Sequence, residues 1–256
     1  MDPHYPWSVS VKAIILFSGG IDSTVVLAMA LQNGRQCHAL SFDYGQRHHI
    51  ELQAAAAITK HYGISHQIIK IDPSAFGNSA LVSPLVSAAD GFSELPSDAS
   101  RHFPMDIPTG RSMAQIASLG IPSSYVPARN MLFLAFAAGQ AELWKAGEIY
   151  FGANAADSAP YPDCRPAFIA AIQGVLDVAT KEAVEGHPPK LIAPLSAWHK
   201  PEIIRQGSSL NVPFALTHSC YAPAPQGMHC GRCDACVIRQ EAFSQAMQAD
   251  PTSYLH

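Results

Sequence analysis

Positive charge is scarce in this chain: Lys and Arg total 16 against 20 Asp and Glu, for a net charge of -4. A protein that clamps a long phosphate backbone carries a broad positive field, so this balance argues against nucleic acid and for a small substrate. Long apolar runs are also missing. None approaches the roughly 20 residues needed to cross a bilayer, the nearest being the interrupted stretch 131–144. The start holds Pro3 and Pro6 but neither a basic nor an apolar signal region. The expectation is a soluble, cytoplasmic protein with no membrane partner. Two nucleotide signatures are absent as well, the Walker pattern G-x-x-x-x-G-K-[ST] and the dinucleotide pattern G-x-G-x-x-G, which sets aside P-loop phosphoryl transfer and hydride transfer.

What is present fits a folded enzyme. With 48% hydrophobic residues over 256 positions, the chain can bury one sizeable α/β core and a small appendage. Residues 11–17 form an apolar run of strand length, followed across a Gly-Gly turn by the helix-compatible stretch 23–32. Residues 37–42, 66–71 and 148–151 are further strand candidates. Helices are expected over 47–62, 130–144, 168–184 and 202–209, the last with Pro201 where a first turn tolerates it. Such alternation implies a doubly wound, mostly parallel sheet in Rossmann-type layers. Between residues 72 and 125 six prolines break the pattern, which reads as a functional insertion or lid. The expected division is a nucleotide-binding domain over 11–212 and a C-terminal region with a helix over 213–256.

Ser18-Gly19-Gly20-Ile21-Asp22-Ser23-Thr24 sits between the first strand and the first helix. Two glycines let the backbone approach a ligand, while amides at the helix start and the hydroxyls of Ser18, Ser23 and Thr24 can hold an anion. A tight strand-to-helix turn with no ligand is the plainer alternative. The motif resembles the pyrophosphatase loop, which grips the terminal phosphates of ATP while a substrate oxygen attacks the α-phosphate; Asp22 would then help place Mg2+.

Cys220, Cys230, Cys233 and Cys236 are spaced C-x9-C-x2-C-x2-C. Four thiolates can close one tetrahedral site, which suits structural zinc; an iron–sulfur cluster and disulfides are the alternatives. Cys37 lies within a predicted strand and reads as a small buried hydrophobe. Cys164 is either packed or, beside Arg165, a thiolate.

Further segments follow in order: Asp43-Tyr44-Gly45-Gln46-Arg47-His48, Tyr125-Val126-Pro127-Ala128-Arg129-Asn130, Gly152-Ala153-Asn154-Ala155-Ala156-Asp157 and Tyr161-Pro162-Asp163-Cys164-Arg165-Pro166. With Lys200 and the cysteines, preceded by Leu216-Thr217-His218-Ser219, they resemble the 7-cyano-7-deazaguanine synthase family of pyrophosphatase-loop ligases from near residue 11 to near residue 243. The resemblance implies conversion of 7-carboxy-7-deazaguanine, ammonia and ATP to the nitrile preQ0 in queuosine biosynthesis, in a homodimer with an adenine nucleotide alpha hydrolase-like fold. ATP would be held by Phe17, Ser18, Gly19, Gly20, Ile21, Asp22, Ser23 and Thr24 with Gln46 and Arg47. Asp22, Arg129, Arg165, Lys200 and His48 would carry the chemistry. Asp157, Tyr161, Asp163 and Arg165 would meet the purine-like substrate, with helix capping the alternative for the two aspartates. The segment before Tyr125 is longer than the family commonly shows, and Ser158-Ala159-Pro160 replaces a usual Ser-Gly stretch. Another carboxylate, a tRNA base in a thiolation-type ligase, or a zinc-bearing nucleic-acid module are therefore the competing readings.

Overall fold

The computed structural model describes residues 11–46, 50–72, 81, 107–122, 124–224 and 227–255. The first apolar run forms β1 (Lys12–Leu16), and the stretch beyond the Gly-Gly turn forms α1 (Ile21–Gln32). Next come β2 (Gln36–Asp43), α2 (Ile50–Tyr62) and β3 (Ser65–Lys70). A short helix, α3 (Met113–Ala117), precedes α4 (Arg129–Trp144) and β4 (Glu148–Tyr150). Then follow α5 (Ala155–Ser158), α6 (Pro166–Ala179), α7 (Lys181–Val184), β5 (Lys190–Ile192), α8 (Lys200–Ser209) and α9 (Asp234–Gln245).

Among the described residues the five strands pair in parallel, in the order β3-β2-β1-β4-β5. Both faces of such a sheet are covered, and β1 accordingly reads as continuous apolar sequence. Its period of two still sorts the side chains: Ala13, Ile15 and Phe17 join one core cluster, while Ile14 and Leu16 join the other. The first cluster lies against α1, α2 and α8, and the second against α4 and α6. α9 adds Ala242, Phe243 and Ala246 to the first cluster, so the C-terminal region is built onto the α/β core.

One expectation changes, and one strand goes unread in the sequence. The helix expected over 168–184 is two helices, because Thr180 is extended (φ −119°, ψ 161°) and its hydroxyl caps the second by accepting from Ala183 N at 3.2 Å. β5, three residues among Pro188, Pro189 and Pro194, carries too short a pattern to stand out in the sequence.

Strand order reverses direction on either side of β1: β2 lies to one side and β4 to the other. A crevice therefore opens at the carboxyl ends of β1 and β4, the usual ligand position in an open α/β sheet. The loops after those two strands are the glycine loop and residues 152–154.

Candidate active site and metal centre

Gly19 is where the backbone needs glycine. Gly19 has φ +78°, and a Cβ there would lie 2.6 Å from Ala55 N and 2.7 Å from Glu51 O, inside the backbone of α2. The β4 loop lies beside the start of α1: a Cβ on Gly152 would sit 3.4 Å from Ser23 N, in ordinary contact. The loop is internally tied. Thr24 Oγ1 donates to Gly20 O at 2.7 Å, and the Ser18 and Ser23 hydroxyls are 3.2 Å apart. Gly20 occupies the N-cap of α1 and supplies no side-chain cap. First-turn amides of this helix are thus left for an anion.

Charged side chains converge on this mouth from the first turns of other helices. Lys200, at the start of α8, forms an ion pair with Asp22 Oδ2 of α1, while Asp22 Oδ1 is buried without a hydrogen-bond partner. Burial opposes the charge on Lys200, but Asp22 and Asp157 outweigh it and hold its proton more tightly than usual. Asp157, in α5, accepts from Asn154 Nδ2 at 2.6 Å. Burial pushes its carboxyl up to about 6, with Asp22 adding to the rise and Lys200 opposing it. Arg129 opens α4 and donates to Tyr44 Oη at 3.4 Å. Desolvation disfavours its charge, but Tyr44, Asp163 and Tyr161 more than compensate. Both Lys200 and Arg129 sit at helix N-termini, where the dipole repels a cation. Local helix stability does not explain their placement.

The sequence-selected residues divide into two groups. Asp22, Lys200, Asp157, Arg129 and Tyr161 come together around the crevice, Tyr161 with its hydroxyl 3.0 Å from Ser124 Oγ. Others are occupied by protein. Phe17 and Ile21 point into the core, and Gln46 closes its own turn by accepting from Tyr44 N at 2.9 Å and donating to Phe42 O at 3.1 Å. Asp163 accepts from Asn130 N at 3.0 Å and so caps α4 from outside that helix. Exposed Arg165 donates to the carbonyls of Ser158 and Ala159 at 3.1 and 3.2 Å. Arg47 and His48 lie outside the described residues. Cys37 and Cys164 are buried, and burial pushes both thiols up to about 12, so packing is the reading of Cys164 that its surroundings favour.

Glu51 and Tyr221 were not singled out from the sequence. Glu51 stands in the first turn of α2, where an acid is ordinary, so only the fold reveals that it faces the same group. Burial pushes its carboxyl up to about 7 against the opposing pull of Arg129. Tyr221 follows the first cysteine of the cluster, and its hydroxyl is within electrostatic reach of Tyr161, Asp157, Glu51 and Arg129.

Cys220, Cys230, Cys233 and Cys236 are all buried, with their sulfurs within 4.8 Å of one another. The pairs Cys220–Cys233 and Cys230–Cys236 stand 3.9 and 4.0 Å apart. Backbone amides already point at the sulfurs: Ala222 N and Cys230 N lie 3.4 and 3.3 Å from Cys220 Sγ. Such a set can hold one metal ion. It is joined to the glycine loop by the preceding segment, in which His218 N donates to Gly19 O at 3.0 Å. Buried Arg239 fixes that segment through Thr217 Oγ1 at 2.8 Å and Phe214 O at 3.1 Å, with Asp250 as its counter-ion.

Fold and site together define a doubly wound α/β nucleotide-binding protein whose glycine loop opens onto a cleft of opposed charges. The sequence model described as "Queuosine biosynthesis protein QueC" matches residues 12–247, and the chain belongs to that family. A 7-cyano-7-deazaguanine synthase of Solidesulfovibrio magneticus is 44% identical over 245 residues, 95% of each chain. Proteins of the same description from Desulfatibacillum aliphaticivorans and Pseudomonas aeruginosa are 42% and 41% identical, each over 95% of this chain and over 97% and 98% of their own lengths. Among solved structures, the NMN synthetase of Francisella tularensis aligns with a TM-score of 0.44 and 17% identity over 94% of this chain and 79% of its own, too distant a likeness to carry anything across.

Proposed function

We propose that this chain makes 7-cyano-7-deazaguanine (preQ0) for queuosine biosynthesis from 7-carboxy-7-deazaguanine, ammonia and ATP. The observation that carries the reading is the gathering of Lys200 and Arg129, each against its own helix dipole, around the uncapped start of α1. Family membership over 12–247 supplies the substrate class.

A carboxylate is a poor electrophile. Its oxygen attacks the α-phosphorus of ATP, pyrophosphate leaves, and the resulting acyl-adenylate has AMP as a leaving group. Ammonia displaces AMP and loses a proton, giving the amide. A second adenylyl transfer, to the amide oxygen, lets AMP and a proton depart together to leave the nitrile. The first-turn amides of α1 and the hydroxyls of Ser18, Ser23 and Thr24 would hold the pyrophosphate. Lys200 and Arg129 would meet charge developing during transfer, where fixed cations in a little-hydrated site are worth most. Asp22 Oδ1, buried and unpartnered, fits a Mg2+ ligand position, and that ion would neutralise phosphate charge. Asp157 and Tyr161 remain candidates for the base itself. Asp163 and Arg165 are better placed to hold α4 and the 158–159 turn than to touch substrate. Gln46 is proposed to shape the exit of β2 beside the nucleotide, with Arg47 and His48 following it in sequence.

Zinc is the metal we propose for the four cysteines. Tetrahedral bonds of about 2.3 Å put sulfurs roughly 3.8 Å apart, close to the 3.9 and 4.0 Å found. A closed four-thiolate shell makes it structural. The working division is 11–212 for catalysis, with the insertion near 72–125, and 213–256 for the metal region. We further propose a cytoplasmic homodimer, which would cover exposed Met131, Phe136 and Leu143 of α4 and Val175 and Val178 of α6. No helix among the described residues is long and apolar enough to cross a membrane.

Mass spectrometry of products from purified, zinc-loaded protein with 7-carboxy-7-deazaguanine, ammonium, Mg2+ and ATP tests the proposal. Nitrile formation lost in Asp22→Ala is expected. Consumption of ATP only with a different carboxylate or with tRNA would replace the substrate, and no ATP binding would remove the loop assignment.

A further inference from the structure

The inserted region does not end freely; its last limb is fastened to the cysteine turn. Thr109 bridges Cys233 in antiparallel fashion, and Gly110 N donates to Arg232 O at 2.8 Å. Arg111 then grips Asp234 with both arms of its guanidinium, Nε to Oδ1 at 3.0 Å and Nη2 to Oδ2. Ile107 packs against the cysteine cluster. All these holds fall on residues 232–234 or on the cluster itself, and Asp234 directly follows Cys233 at the first turn of α9. A carboxylate there is favoured by the helix dipole, so it is a firm post for an arginine.

At its other end the same limb runs into the cleft. Ser124 Oγ meets Tyr161 Oη at 3.0 Å, and the Tyr125 hydroxyl accepts from Ala128 N at 3.3 Å, one residue before Arg129. Between the two ends lies a residual cavity of about 10 Å³ lined by Ile107, Arg111, Ser124, Tyr221 and Asp234. The limb, Tyr221 and the cysteine turn thus border one small shared space. The ion pair is only partly exposed, at 24% and 16% for the two side chains.

We infer that the four-cysteine turn anchors the limb entering the substrate pocket and that Arg111 is the positioning residue through which it does so. Its kinetic consequence rests on the reaction proposed above. Loss of Arg111 frees the limb and loosens Ser124, Tyr125 and Tyr161, which border the proposed base-binding side. The glycine loop, held separately by His218 and α2, keeps its grip on nucleotide.

Hydrogen exchange on the full chain gives a readout independent of turnover. Amides of 107–112 should exchange about tenfold faster in Arg111→Ala while β1 and α1 amides hold their rates, and amides of 107–112 should again exchange faster in wild-type protein stripped of metal by a chelator. Steady-state kinetics should show KM for the deazaguanine carboxylate rising about tenfold in Arg111→Ala with KM for ATP within about twofold. Arg111→Lys, which keeps the charge but not the fork, should fall between wild type and Arg111→Ala in both measurements. Unchanged exchange of the limb in Arg111→Ala, or equal shifts in both KM values, would overturn the inference. If Arg111→Ala does not fold, Arg111→Lys alone decides, wild-type behaviour in both measurements counting against. If wild-type protein makes no nitrile, the proposed reaction fails while the exchange data still judge the anchor.

Discussion

Lys200 is held by two carboxylates yet placed where its helix repels it, and the proposed function gives it charge to neutralise during transfer. Replacing it with methionine should lower the rate of pyrophosphate release by about two to three orders of magnitude, the usual loss when one preorganised charge leaves a transfer site. A loss below tenfold would return Lys200 to a structural role. Glu51 gives a prediction of opposite character. Its folded carboxyl titrates near 7, above its unfolded value of 4.5, so the folded state binds the proton more tightly. The associated stability is complete below 4.5 and disappears as pH rises through 7. Glu51→Gln should therefore melt higher than wild type at pH 8, by at most about 3 kcal/mol, with the advantage shrinking to nothing near pH 4.5. A glutamine variant that melts lower at pH 8 would contradict the assignment of burial as the cause. Asp157 has the same sign over a window ending near 6. At this scale the sequence was informative for Asp22, Arg129 and Lys200 because they stand in ordered motifs. It was silent on Glu51, whose neighbours Arg129 and Tyr221 are distant along the chain.

The elements themselves store their constraints in a few backbone positions. Gly19 meets main-chain atoms of α2, not a pliable side chain, so Gly19→Ala must push the glycine loop and α2 apart. Lower thermal stability and weaker ATP binding should appear together; an alanine variant with unchanged ATP affinity would show that the contact is not needed. Ala128 offers the reverse case. It takes a left-handed conformation, φ 54°, immediately before α4, which an L side chain adopts at a cost of about 1–2 kcal/mol. Ala128→Gly should raise the urea midpoint, and unchanged or lower stability would mean the strain is absorbed elsewhere. Long periodic elements such as α1 and α4 were legible from pattern alone. Thr180 and β5 were not, because a single extended residue and a three-residue strand leave no periodicity to read. The tie between the insertion and the cysteine turn was equally invisible, since Arg111 and Asp234 are brought together only by the tertiary fold.

Among the described residues the molecule is one α/β layer structure with its four-cysteine region built into the same core. Phe243 meets Phe214 edge-on with ring centroids 5.3 Å apart, and His218 links the cysteines' neighbourhood to Gly19. Metal removal should therefore lower the main melting transition without creating a second, separate one; a distinct low-temperature transition in calorimetry would show an independent unit. The proposed reaction turns on adenylate transfer to a carboxyl oxygen in the cleft. Its most direct test uses substrate labelled with 18O in both carboxyl oxygens, with mass analysis of the released AMP and pyrophosphate. The account predicts 18O in the AMP phosphate and none in pyrophosphate; 18O in inorganic phosphate, with ADP as the nucleotide product, would contradict it.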